Sequence, residues 1–528
     1  MASDAGSPVS RSRATPTAPL PAALFAALLT LLAGPAAAQA PPAQPRALKI
    51  DEKTIAELSP GGKLESARST KDHLALVEKT DGRRTVKLDG RQVGGAYDDV
   101  SFLRFSEDQQ HLAFAAKRGS TWVLVVDGED RTRPYGKLTA PTLSANGKSF
   151  AVSACNGKDC HLVIDGEETA PQFEDISAPA FSSDGAHCVY FGKRDKQWVM
   201  QLDGKPYGPS MDNYFTWRMS RGADHVAVAA LVDKNWTWVV DGKPGPGFDV
   251  ISDIDVSPDW RHYAYAGTNA KSGMAKSRTT GSLVEDGKVT ADYAGRGFGS
   301  GFLGALAGGY STITPGVRRF SPDFHGLSDP MYTPEGKLVY AARRGDGDVA
   351  VFVAGVPGPS FEDIVSPIGL SEDGKHIGYV IKRGESFVEV RDHRAGAAFP
   401  GKRAESFVGI LTMSPDGEHL AYEIVRGGKQ FEAGTTSRAL RRVVVDGQGG
   451  PEFDAFGIRD LEVTSNGRNA HYTVVGAAGN RDRVVFNGLD TRLYDNVFRG
   501  SATFVDEQTI EFVAQDGSRV VRVTAALQ

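Results

Sequence analysis

Five Asp-Gly pairs begin at Asp89, Asp127, Asp165, Asp203 and Asp241, each 38 residues after the one before. A fixed period of this length means that one supersecondary unit has been copied and stacked. One copy cannot bury its own apolar face, so the copies must pack on each other. Fuller versions of the phrase run from Phe181 to Pro209 (FSSDGAHCVYFGKRDKQWVMQLDGKPYGP) and from Met413 to Lys429 (MSPDGEHLAYEIVRGGK). Each motif must therefore be judged against the repeat: shared residues hold the unit together, and irregular ones are free to specialise.

A copy contains about four short extended runs. The first ends at a Ser/Thr turn, as in APAFSSDG (Ala178 to Gly185), and the second follows at once, as in HLAFAA (His111 to Ala116). A loop containing Gly, Lys or Arg leads into the third, TWVLVVDG (Thr121 to Gly128). The fourth passes to a corner, FEDI, at Phe173 to Ile176 and again at Phe361 to Ile364. Asp-Gly closing the third run is a two-residue hairpin signal, since both central positions of a type I′ turn need positive φ. Four antiparallel strands repeated in this way predict an all-β chain built of β-propeller blades.

The turn after the first strand recurs at Ser69, Ser106, Ser144, Ser182, Ser220, Ser257, Thr333, Ser371, Ser414, Thr464 and Val505, eleven copies in all. Single rings usually hold roughly four to eight blades. The phase breaks once, between Asp292 and Leu327. The expectation is therefore two packed propellers, residues 47–293 with about six blades and 328–528 with about five, joined by a Gly-rich linker over 294–327; the alternative is one large ring. SPDGEHLAY (Ser414 to Tyr422) and SEDGKHIGY (Ser371 to Tyr379) resemble the Pro-Asp-type, WD-like repeats of TolB-like β-propellers. The resemblance covers most of the chain and implies the blade; such blades serve in periplasmic scaffolds and in peptidase accessory domains alike.

At the N-terminus, Arg11 and Arg13 precede an apolar stretch from Leu20 to Leu32, and Ala36 to Ala38 offer a small-residue cleavage site. This layout predicts a Sec-type signal peptide over residues 1–38, followed by a stiff Pro/Ala spacer over 39–46. No later segment has 18 consecutive apolar residues, so the expected location is periplasmic or secreted, with no transmembrane segment after signal removal. The formal net charge is −5, which favours no strongly anionic partner overall and no nucleic acid. Cys155 and Cys160 flank NGKD, a hairpin turn, and are disulfide candidates, while Cys188 lies in an apolar run and reads as a buried thiol. A zinc set of Cys155, Cys160 and His161 lacks a fourth ligand and the usual spacing.

Seven of the eleven histidines share one template position, at His73, His111, His187, His225, His262, His376 and His419. Being shared, they read as turn formers rather than catalytic groups. Trp122, Trp198 and Trp236, each five residues before an Asp-Gly pair, read as blade packing. Enzyme motifs fail: no Gly-x-Ser-x-Gly elbow occurs, and Gly299, Gly301 and Gly304 lack a preceding strand and βαβ context. No cofactor and no metal site is expected.

Three departures from the repeat remain. The loop between second and third strands carries Lys117, Arg118, Lys193, Arg194, Arg343, Arg344, Lys382 and Arg383, with Lys158, Lys234, Lys271 and Arg426. These loops emerge on one face of a propeller, opposite the acidic turns, and suggest a docking face for an envelope or extracellular protein or an anionic polymer. Along the innermost strands, Arg104, Arg218, Asp253, Asp255, Asp460 and Glu462 place charge near the axis and are candidates for ligand binding. Gly295 to Gly316 holds eight glycines in 22 residues, a connection or a loop that orders on a partner. The expected function is a non-enzymatic interaction or ligand-binding scaffold. The alternative is a glycan- or peptide-directed hydrolase using the inner-strand carboxylates.

Overall fold

A computed structural model describes residues 47–528, apart from 170–171, 270–279, 295–326, 345–346, 402–405 and 428–437. The signal peptide, the spacer up to residue 46, nearly all of the Gly-rich linker and Lys271 lie outside the described residues.

Among the described residues eleven antiparallel sheets follow one another along the chain, and within ten of them the strands neighbour one another in sequence order. Blade 1, for example, comprises Lys63–Ser69, Leu74–Thr80, Arg83–Leu88 and Arg91–Tyr97. The burial pattern explains why each strand has its composition. The second strand is covered on both faces, so Leu112 to Ala116 and Cys188 to Gly192 are continuously apolar and buried. The fourth is an exposed edge, and Lys205–Met211 alternates polar and partly covered positions. The Asp-Gly turns have positive φ at both positions, 52° and 76° at Asp203 and Gly204, as a type I′ turn requires.

The first strands of successive blades lie against each other: Lys63–Ser69 beside Asp99–Phe105, Asp255–Val256 beside Met331–Tyr332, and Ser406–Met413 beside Gly457–Val463. They form the inner circle.

Apolar clusters fill the seams between blades. Ala75, Val77, Val86 and Tyr97 of blade 1 meet Leu112, Phe114 and Val125 of blade 2. Ala264, Ala266 and Leu283 of blade 6 meet Leu327, Tyr332, Leu338 and Tyr340 of blade 7. Ala56, Leu58, Phe498, Val513 and Val520 of blade 11 meet Leu74 and Leu76 of blade 1. The outermost strand of blade 11 is Leu48–Glu57, from the other end of the described chain, paired with Arg519–Leu527 in a register running from Leu48↔Leu527 to Glu57↔Arg519.

These seams correct the expected division at residues 294–327 into two packed propellers; the alternative, one large ring, is what forms. The break in sequence period falls in a connection. The blade 6 to blade 7 seam is made by strand faces, and those faces keep the repeat pattern on either side. Among the described residues no helix is long and apolar enough to cross a membrane.

Closure by one strand is directly testable. A chain shortened to begin at Leu58 exposes the edge of Arg519–Leu527, and is expected to lose the single cooperative transition and to self-associate. Light scattering and thermal melts check this; an unchanged midpoint and a monomeric species would contradict strand closure.

Candidate functional site

The recurring polar residues assemble into one network, repeated around one rim. In blade 4, Ser182 Oγ accepts the His187 backbone N–H at 3.0 Å and donates to Asp184, whose Oδ1 accepts the Ala186 N–H at 3.0 Å. His187 Nδ1–H donates to Asp203 Oδ2 at 2.7 Å, while Asp203 Oδ1 accepts the Cys188 N–H at 2.9 Å. The same bond joins His73 to Asp89, His111 to Asp127, His225 to Asp241, His262 to Asp286, His376 to Asp392 and His419 to Asp446, at 2.6 to 2.8 Å. In these seven blades it ties the first turn to the hairpin turn after the third strand, placing both on the same rim. The aspartate partner raises the pKa of His187, His262 and His376. Blade 10 carries a neutral version, in which Asn487 Nδ2 donates to Asn469 Oδ1.

The network also reaches the next blade. Gly147, Gly417 and Gly467 have positive φ (63°, 76° and 61°) and sit on the imidazoles of His111, His376 and His419 of the preceding blades. A Cβ on these glycines would come within 2.1, 2.4 and 2.0 Å of those side chains. In blade 6 Trp260 takes this place, φ 58°, and stacks on His225 with ring centroids 6.1 Å apart.

Most of the inner-strand charges have partners. Arg218 of blade 5 bonds to Asp253 of blade 6. Asp255 Oδ2 accepts the Tyr332 N–H of blade 7 at 2.5 Å. Asp460 accepts the Gly500 N–H and the Thr473 hydroxyl, each at 3.2 Å, with Arg459 3.6 Å away; burial raises its pKa. Glu462 accepts from Nε2 of the wholly buried His471 at 3.1 Å. The carboxylates named for a hydrolase thus occupy two blades, 6 and 10, each held by partners in its own or an adjacent blade, and are not gathered at one locus. Arg104 differs: no side-chain partner is found among the described residues.

At the opposite rim, many basic residues of the second-to-third-strand loops are already engaged. Lys117 lies over Trp122 at 5.7 Å and Lys193 over Trp198 at 5.5 Å. Arg118 covers Tyr97 at 5.2 Å and bonds to Asp130. Arg194 covers Phe173 at 5.5 Å and donates to the Gln172 carbonyl at 3.0 Å. Arg343 faces Asp363 at 3.8 Å. Lys382, expected on the open face, is buried over Phe387 at 4.6 Å and donates to the Gly401 carbonyl; its amine is drawn inward by an aromatic face that the loop pattern did not reveal. Arg344 and Arg383 remain exposed, without side-chain partners among the described residues.

Cys155 and Cys160 are bonded across the blade 3 hairpin, Cα atoms 4.1 Å apart, against Phe173, which bridges to Cys160, and Ile176 of blade 4. The carboxylate of Asp175 groups with the two sulfurs, all within 4.8 Å, whereas His161 turns to Asp159 at 2.7 Å, so the zinc set considered from sequence does not converge. Burial pushes the Cys188 thiol up to about 12, which leaves it inert.

Sequence reasoning missed three buried acids that interrupt apolar strands. Glu78 is paired with Lys87 at 2.6 Å and Glu423 with Arg441 at 2.7 Å. Glu389, fully buried, receives the Gly447 N–H of blade 9 at 2.6 Å on Oε1, and Oε2 has no partner among the described residues. Burial is the main reason its pKa is raised to about 7, with Asp446 adding to it. A lone Glu inside SFVEVR was the available signal.

No family model matches the chain, and no curated protein matches it. Solved structures similar to it include one described as a eukaryotic initiation factor, at 11% identity over 73% of this chain and 97% of that one, with a TM-score of 0.36. Another is TolB from Acinetobacter baumannii, at 13% identity over 55% of this chain and 64% of that one, with a TM-score of 0.21.

Two outcomes follow from these contacts. Gly417→Ala is expected to destabilise by roughly 2–4 kcal/mol, combining a left-handed backbone with overpacking onto His376. Gly336→Ala, at the same turn position with φ 78° but nothing within 4 Å, carries only the backbone penalty of about 1 kcal/mol; equal losses in urea melts would refute the inter-blade lock. Glu389 ionises near its ordinary value when unfolded and only near pH 7 when folded, so the folded state holds the extra proton in between. Stability from this group is therefore present at low pH and is lost as pH rises from about 4.5 to about 7. Glu389→Gln should stabilise the ring by on the order of 2–3 kcal/mol at pH 8 and leave it unchanged near pH 4. A gain independent of pH would show that the carboxyl is not the cause.

Proposed function

We propose that the ring is a non-enzymatic binding scaffold acting in the periplasm or outside the cell, holding an acidic protein or an anionic envelope polymer against the rim of its second-to-third-strand loops. The observation that carries this reading is the distribution of spare hydrogen-bonding capacity. Seven histidines and their aspartates are consumed in the turn network, and Asp253, Asp255, Asp460 and Glu462 are bonded within the ring. Among the described residues, the exposed side chains left without partners on the loop rim are mixed, with Asp81, Asp195 and Asp233 beside Lys158, Lys196 and Lys234, and they are basic without a neighbouring acid of this kind at Arg344 and Arg383 in the adjacent blades 7 and 8.

Guanidinium groups on a rim steer and hold an anionic surface through charge-assisted bonds, and the attraction falls with added salt. Lys117, Lys193 and Arg194, in blades 2 and 4 of the same rim, spread over aromatic rings and keep their charge while covering apolar surface, whereas Arg118 over Tyr97 is balanced by Asp130.

Retention on immobilised poly-glutamate tests the reading. The wild-type ring is expected to bind at low salt and to elute as salt rises, and Arg344→Glu combined with Arg383→Glu should reduce retention by at least about tenfold without lowering the melting midpoint. Retention that is indifferent to salt, or unchanged by the double reversal, would overturn the proposal.

A further inference from the structure

Arg68 and Arg104 are the exception to the pairing of inner-strand charge. Arg68 lies on Lys63–Ser69 opposite Ala75, and Arg104 lies on Asp99–Phe105 opposite Ala113. The two strands are neighbours in the inner circle, so the arginines occupy equivalent places on adjacent blades. Both are exposed, while the residues beside them, Ala67, Leu103 and Phe105, pack into the seams. The strand alternation therefore puts both guanidinium groups on the side of the inner strands opposite the seam residues, where they stay exposed. Neither has a hydrogen bond or an ion pair among the described residues. Their proximity registers electrostatically: the pKa of Arg104 is pushed down, first by the protein crowded around an otherwise exposed guanidinium and then by the charge of Arg68.

Two like charges held side by side without a counter-charge are unfavourable, and elsewhere on the inner circle the ring avoids the situation, as with Arg218 and Asp253. The places flanking the pair are taken by hydroxyls. Thr503, opposite Glu511 in blade 11, precedes Arg68 around the ring, and Thr142, opposite Ala151 in blade 3, follows Arg104. An arc of hydroxyl, guanidinium, guanidinium and hydroxyl on four consecutive inner strands offers an anion a donor on every strand, the two hydroxyls being able to accept as well. Guanidinium forks match planar or tetrahedral oxyanions in two-point bonds, and a bound anion would cancel the repulsion between them.

We propose that Arg68 and Arg104 form an oxyanion site on the inner circle of blades 1 and 2, clamping a carboxylate or phosphate group with Thr503 and Thr142 as flanking donors. The site is separate from the loop-rim surface and does not depend on that reading.

The test is thermal unfolding of the whole ring in inorganic phosphate or citrate, against chloride at matched ionic strength. The wild-type midpoint is expected to rise saturably with one or both anions. Saturation at lower phosphate than citrate identifies a phosphate site, and the reverse order a carboxylate site. Arg68→Gln with Arg104→Gln should weaken the response at least about tenfold in concentration, while the anion-free midpoint holds or rises because the repulsion is gone. Should that double variant fail to fold, Arg104→Lys, which keeps the charge but loses the fork, is expected to weaken the response several-fold. Arg344→Glu with Arg383→Glu should leave it intact. No saturable shift in wild type up to roughly 50 mM anion, an equal shift in the variants that remove Arg68 or Arg104 contacts, or loss of the shift in the rim variant would each overturn the site.

Discussion

The pairing of Leu48–Glu57 with Arg519–Leu527 is the constraint on which the rest of the molecule depends. A stack of meanders has two raw ends, each with one apolar face that no neighbour covers. Bending the stack into a ring lets the last blade cover the first, through Ala56, Leu58, Phe498 and Val520 against Leu74 and Leu76. That contact alone is one seam among eleven and would be no harder to open than the others. Making the outer strand of the last blade from the opposite end of the chain changes this: opening the ring there also requires breaking a ladder that joins the two ends of the chain. The seams are made by side chains, whereas the closure is made by the backbone.

Closure explains why the shared residues are spent on structure. A ring transmits a misfit in one blade to all the others, so every blade must present the same angle to its neighbour. The turn network sets that angle locally. In blade 8 the carboxylate of Asp392 holds both the His376 ring and the first N–H of the second strand, and Gly417 of the next blade rests on that same imidazole. Single exposed ion pairs contribute little, so the network matters less as a sum of charges than as a spacer of fixed geometry. Blade 10 makes the point, since Asn469 and Asn487 keep the geometry with no charge at all.

The blade itself was fully legible in the sequence, because the period of the Asp-Gly turns and the apolar second strands state it directly. The number of rings was not. Phase is carried by the spacing of turns, but packing is carried by strand faces, and a long connection disturbs the first without touching the second; Leu327, Tyr332 and Leu338 still meet Ala264 and Leu283 across it. The closing strand was hidden for a related reason, since LKIDEKTIAE has no turn signature of its own and acquires its place only from a partner some 460 residues away in sequence. The axial positions of Arg104, Arg218 and the four acids followed from counting back from each turn, yet pairing between adjacent blades, such as Arg218 with Asp253, depends on a curvature that no local pattern states. Lys382 shows the limit most plainly: expected in the loop, it lies within the strand Ile377–Arg383 opposite Phe387, and that phenylalanine decides where the amine goes.

What distinguishes one part of the inner circle from another is then a question of where the ring has left charge unbalanced. Between blades 5 and 7 each axial group is satisfied by the blade beside it, through Asp253 and the Tyr332 N–H, and in blade 10 by Gly500 and His471. These contacts hold blades together and have no capacity to spare for a ligand. Between blades 1 and 2 the same template positions carry two cations that oppose the packing of their own blades. On the proposed site, a ligand that neutralises them at the seam next to the closure would tighten the ring as it binds. Binding at the axis and stability of the closure would in that case be two readings of one electrostatic balance.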